Sequence, residues 1–191
     1  MADLYHRHMT QRVTTDPHWA VNCTAYCAAM LIGDATLGGV AITGRQVRGQ
    51  SDEPQPEPGS PGLNITQIID VARRHHVRIV DNTRQPWEDL KTAVTHGRRV
   101  MLQIDYASLP RDVQCQKGGD FGHAIVVANF NKDGTVRASD PLCSKQLDYD
   151  PEVIRKAAVK FARDTGVSNG LRWCSTRQVP LTTVPWEDHP Y

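Results

Sequence analysis

Four side chains in this chain have the types and order that covalent acyl transfer needs. Cys23 and Cys27 stand one helical turn apart in HWAVNCTAYCAAMLIG, and His123 and Asp140 bracket the later run HAIVVANFNKDGTVRASDPL. A thiolate attacks an amide carbonyl, an imidazole carries the proton, and a carboxylate orients the imidazole. The thiolate is favoured by a helix N-terminus and by a neighbouring imidazolium. Cys23 falls at the expected start of a helix, where unpaired backbone N–H groups can also hold the oxyanion of a tetrahedral intermediate. Cys27 lies a turn deeper, among Ala28, Ala29 and Met30, and is expected to pack in the core. Cys23 is therefore the expected nucleophile, His123 the base and Asp140 the orienting acid.

The same residues admit plainer roles. Free cysteines are often small buried hydrophobes, a histidine at a strand edge can be structural, and an Asp-Pro step can simply cap a turn. A disulfide framework is not expected, because the five cysteines (Cys23, Cys27, Cys115, Cys143 and Cys174) are odd in number and scattered. A zinc site built from Cys115, His123 and Cys143 around the hairpin is the rival from another class. It lacks the paired short spacings of structural zinc, so neither metal nor cofactor is expected.

The elements that must position these groups are legible as patterns. Asn22 is a suitable N-cap for a helix in which Cys23, Tyr26, Cys27, Met30 and Leu31 recur at helical spacing, with Gly33 ending or interrupting it. NITQIIDVARRHH predicts a helix capped by Asn64, and QPWEDLKTAVTHG one with Pro86 near its start and Gly97 past its end. VRIVD, RRVMLQIDY and GHAIVVANF read as strands, and Asn131-Lys132-Asp133-Gly134 as a hairpin turn into TVRASD. Asp150-Pro151 opens a helix through about Phe161, and LRWCSTRQVPL reads as a closing strand. Helices come mostly first and antiparallel strands later, which is an α+β order. Residues 1–17 read as an irregular lead-in and 49–62 as an acidic, proline-rich surface loop within one domain spanning 1–191. His75-His76 and the two Arg-Arg pairs read as solvated helix-end and strand-end charges.

NCTAYCAAM, then GHAIVV, then SDPL resemble the papain-like cysteine peptidases related to bacteriocin-processing transporter peptidases, to cell-wall hydrolases and to proteins of phages infecting actinobacteria. The resemblance covers roughly residues 18–145. It implies a papain-like α+β fold, with an N-terminal nucleophile helix and further helices on an antiparallel sheet, and the same three reacting residues. It implies a peptide bond of peptidoglycan as substrate, a protein precursor as runner-up, and association with a phage particle or release from a host cytoplasm. The sequence departs from the family pattern where Asn22 replaces an acidic residue and Thr24-Ala25 replaces Gly-Pro. Pro17 stands where the family carries a glutamine oxyanion donor six residues before the nucleophile. Of the nearby donors Gln11, His18, Trp19 and Asn22, the shift of one residue favours His18, with Asn22 reserved for the helix cap. The alternative is a papain-like module without catalysis, serving as a structural or wall-binding part of a particle.

Bulk properties narrow the field. The chain has 191 residues, 39% hydrophobic residues and a formal net charge of +1. It is long enough for a core, and no charge excess points to nucleic acid or an anionic membrane. No stretch approaches the ~20 apolar residues of a membrane span, and the polar start MADLYHRHMTQRVTTD has no signal-peptide core.

Overall fold

The computed structural model describes residues 8–12, 19–36, 39–54 and 62–176. Five helices and six strands build the described part: α1 (Cys23–Ala35), α2 (Gly44–Gly49), α3 (Ile65–Arg74), β1 (Ile79–Asp81), α4 (Trp87–Thr95), β2 (Val100–Asp105), β3 (Gly122–Phe130), β4 (Val136–Ser139), β5 (Leu147–Tyr149), α5 (Pro151–Asp164) and β6 (Trp173–Thr176). Short 3-10 turns precede α1 at Trp19–Val21 and follow β2 at Tyr106–Ser108.

The strands form one sheet in the order β1-β6-β2-β3-β4-β5, and every neighbouring pair is antiparallel. Alternation along the central strands divides the core in two. Met101, Ala124, Val126 and Cys174 pack toward α1 and α3. Leu102, Ile125, Val127, Ala138 and Trp173 pack toward α4 and α5. Because both faces are covered, β2 and β3 read as continuous apolar runs rather than alternating ones.

Helix α1 is buried on all sides, from Cys23 through Asp34. Its small residues Ala25, Ala28 and Ala29 let α2 and β3 approach closely, so it has no wet face to give it an amphipathic pattern. It runs through Gly33 to Ala35 without a break. Asn64 caps α3 with Gln67 in a reciprocal capping box, and Asp150 accepts from the Glu152 N–H at the start of α5 with Pro151 in its first turn.

The structure corrects four sequence expectations, the first being the solvated role read for both Arg-Arg pairs, since Arg99 is only 3% exposed and pairs with Asp34 at 3.3 Å. Asn22 occupies the N-cap position of α1, yet its side chain makes no capping bond. Its Oδ1 instead accepts from Arg48 Nε at 2.8 Å. Cys115 and Cys143 form a disulfide, so the pair weighed as zinc ligands is bonded to itself, and the thiols of Cys23, Cys27 and Cys174 are free. Gly49, expected to open the proline-rich loop, is instead the last residue of α2. Irregular chain follows from 50 to 54, with Asp52 accepting from the Gln67 amide at 2.7 Å, and residues 55–61 of the stretch lie outside the described residues.

Candidate active site

Three separate elements bring the expected residues together. Cys23 is the first residue of α1, His123 the second of β3, and Asp140 follows the last residue of β4. His123 Nε2 lies 2.7 Å from Asp140 Oδ1, and the Cys23 side chain is near enough to the same ring to raise its pKa. With Nε2 committed to the carboxylate, Nδ1 is the nitrogen left for the thiol. His123 and Asp140 are fully enclosed, whereas Cys23 retains 8% exposure.

Each position has a local cause. The β3–β4 hairpin sets Val126 opposite Ser139, so the chain leaving β4 returns beside the first residues of β3. Pro141 then stops the strand. Asp140 Oδ1 also accepts from the Leu142 N–H at 2.8 Å, and the Asp140 carbonyl accepts from the Cys143 N–H at 2.9 Å. The first bond orients the carboxylate and the second fixes the backbone turn that carries it. Burial alone disfavours a charged imidazole. The Asp140 charge and hydrogen bond, with the Cys23 contact, outweigh it and raise the His123 pKa to about 10. The ring is thus an imidazolium at neutral pH, suited to stabilising a thiolate and to donating a proton to a leaving group.

Cys27 meets the opposite environment. It is fully buried, and burial, with Cys23, Asp140 and Cys174 nearby, pushes its thiol well above the ordinary value. Burial and Asp81 likewise raise Cys174, against a backbone hydrogen bond from Met101. Both stay protonated and unreactive.

Several supporting residues escaped the sequence reading. The Tyr106 ring stands edge-on to His123 at 5.0 Å between centroids and stacks on Phe121 at 5.0 Å. The Tyr106 hydroxyl accepts from the Gln116 N–H at 3.0 Å, which ties this aromatic wall to the disulfide loop. Burial raises the Tyr149 hydroxyl, and the adjacent Asp140 charge raises it further, so it faces the carboxylate as a neutral phenol. None of these contacts has a signal in the local sequence, because each joins residues of different elements.

Segment 8–12 docks on the turn that carries Asp140. The Gln11 N–H donates to the Pro141 carbonyl at 2.7 Å, Thr10 Oγ1 donates to it at 3.1 Å, and His8 Nε2 lies 3.1 Å from the Cys143 carbonyl. Gln11 is buried there. His18, the oxyanion donor favoured on sequence grounds, lies outside the described residues, as does Pro17. Asn22 is engaged by Arg48, as above. Among the described residues no group of three or more His, Cys, Asp and Glu side chains is disposed to hold a metal ion.

No protein-family model matches the chain, and no curated protein sequence matches it. Among solved structures it is similar to a C39-like peptidase from Bacillus anthracis, at 17% identity and TM-score 0.63, over 90% of this chain and 94% of that one. The Pseudomonas avirulence protein AvrPphB aligns over 91% of this chain and 96% of that one at 13% identity, but its TM-score of 0.35 is too low to inform. The α+β architecture described above is the papain-like fold of the C39-like peptidase.

Proposed function

We propose that this chain is a cysteine peptidase or amidase in which Cys23, His123 and Asp140 act as a triad. The observation that carries the reading is the His123 ring, hydrogen-bonded to Asp140 at 2.7 Å and electrostatically coupled to Cys23 at the start of α1. The Cys23 thiolate attacks the carbonyl carbon, and the resulting oxyanion is met by the Cys23 N–H at the start of α1. The His123 imidazolium passes its proton to the leaving amine as the C–N bond breaks, leaving a thioester. Water then attacks the thioester while His123 takes its proton. The acid departs, and the thiolate and imidazolium are restored. No cofactor enters these steps.

The substrate proposed is a stem peptide of bacterial peptidoglycan, with a protein precursor as runner-up and a phage origin as the context. This finer reading rests on the sequence resemblance. Incubation with defined stem peptides and mass spectrometry of the products tests it, with Cys23→Ala as the inactive control. Pro17 at the family's glutamine position favours a second reading, a non-catalytic wall- or particle-binding module. Selective alkylation of Cys23 with concurrent peptide cleavage excludes that module, and intact peptides beside an unreactive Cys23 would establish it.

A further inference from the structure

The residue directly before Cys23 is held by a charge from another helix. Arg48 lies on α2 and is only 1% exposed, which makes it one of the largest fully buried side chains. A buried guanidinium is costly unless its donors are met with good geometry. Arg48 Nε donates to Asn22 Oδ1 at 2.8 Å, and Nη2 donates to the Val21 carbonyl at 3.1 Å. Nη1 faces residue Glu53, 3.5 Å from its carbonyl and 3.8 Å from its partly exposed carboxylate. Two of the three donor nitrogens therefore grip the two residues that lead into the nucleophile.

This grip has two consequences for Cys23. The Val21–Asn22 turn sets where α1 begins, hence where the Cys23 thiol and N–H point. The Asn22 carboxamide oxygen, turned to Arg48, makes no cap on α1. The positive end of the helix is then not neutralised by Asn22, which favours an anion forming there.

We propose that Arg48 is a positioning residue for Cys23, clamping the Val21–Asn22 turn so that the thiol and the oxyanion-binding N–H are aimed at one carbonyl. The inference rests on the peptidase reading above and names what organises its nucleophile. A group that acts this way affects the transition state more than substrate binding.

The test uses the full chain and two readouts, cleavage of a stem peptide and the rate at which iodoacetamide alkylates Cys23 at neutral pH. Arg48→Met is expected to lower kcat about 10–100-fold with KM held within about twofold, and to slow alkylation. Arg48→Lys keeps the charge but loses the planar fork, so kcat should fall while alkylation slows less. Arg45→Met, on the exposed face of α2, is the control expected to match wild type. If Arg48→Met alone fails to fold, Arg48→Met with Asn22→Leu removes the charge and its acceptor together, an exchange that buried pairs often tolerate. That double variant should fold and show the same loss of kcat. Folded variants with unchanged kcat and unchanged alkylation would overturn the proposal, as would a loss fully accounted for by the unfolded fraction. A wild-type protein that leaves the stem peptide intact, yet whose alkylation slows in the Arg48 variants, would defeat the stem-peptide substrate and leave the positioning role standing.

Discussion

Cys23 and Cys27 share a helix and differ in almost everything that governs a thiol. Cys23 has the helix start, a little solvent and an imidazole in contact. Cys27 has apolar packing and a thiol pushed well up by burial. Cys23→Ala should therefore abolish cleavage with the fold intact. Cys27→Ala should lower stability by about 1 kcal/mol for the lost buried group and leave substantial activity. Peptide assays beside urea denaturation separate the two outcomes. The His123–Asp140 pair carries its own signature. Its folded pKa of about 10 stands above the ordinary 6.5, so the folded state binds the proton more tightly than the unfolded state. The stability this contributes is fully present below pH 6.5 and is lost as pH rises through about 10. Urea denaturation across that window should show a decline in wild type that is largely absent in Asp140→Asn. An equal decline in both proteins would place its cause elsewhere.

At the scale of elements, the site depends on how the turn after β4 is tied down. The Cys115–Cys143 disulfide joins it to the loop before β3 across 28 residues. Segment 8–12 adds hydrogen bonds from the other side, with Arg12 also donating to the Cys115 carbonyl at 3.0 Å. Closing a loop of that length removes enough unfolded-state entropy to stabilise by roughly 3–4 kcal/mol. Cys115→Ser with Cys143→Ser should lose most of that in urea denaturation. It should also reduce cleavage, because the carboxylate that orients His123 sits three residues from Cys143. Retained stability would show that the described contacts of 8–12 suffice to hold the turn. Composition argued against a disulfide framework because five cysteines cannot all pair. That reasoning excludes a framework but not a single bond, and which two thiols meet depends on where the 106–121 loop lies against the β4 turn.

Across the whole molecule, α1 is fastened at both ends. Arg48 holds the turn before it, and at its far end Asp34 pairs with Arg99 at 3.3 Å, both side chains enclosed. Burial lowers the Arg99 pKa, and the Asp34 charge and hydrogen bond oppose that shift. Arg99 immediately precedes β2, so this contact sets how far α1 reaches along the sheet and how Cys23 lies against His123. Arg99→Leu removes a charged partner of an enclosed carboxylate and should cost about 3–5 kcal/mol. Arg99→Leu with Asp34→Leu should recover much of that loss. The comparison is made by denaturant titration of both variants. A single variant as stable as wild type would mean that water reaches Asp34 without difficulty.

Local order was readable because it is set locally. The capping box at Asn64, the Asp150-Pro151 start of α5, the strands VMLQID and GHAIVVANF and the hairpin at 131–134 follow from backbone propensity, turn chemistry and side-chain period. Cys23, His123 and Asp140 could be singled out because the start of a helix, the start of a strand and an Asp-Pro step are each visible in sequence. Elements with few residues left too little periodicity to detect, as with α2 and β5. What only the tertiary structure decided are the pairings between distant segments. Strand β6, late in the chain, is inserted between β1 and β2. Asn22 gives up the cap that its type favours because a buried guanidinium needs an acceptor more than the helix does. Propensity assigns a residue its local habit, but burial makes an unmet charge so costly that the long-range partner prevails.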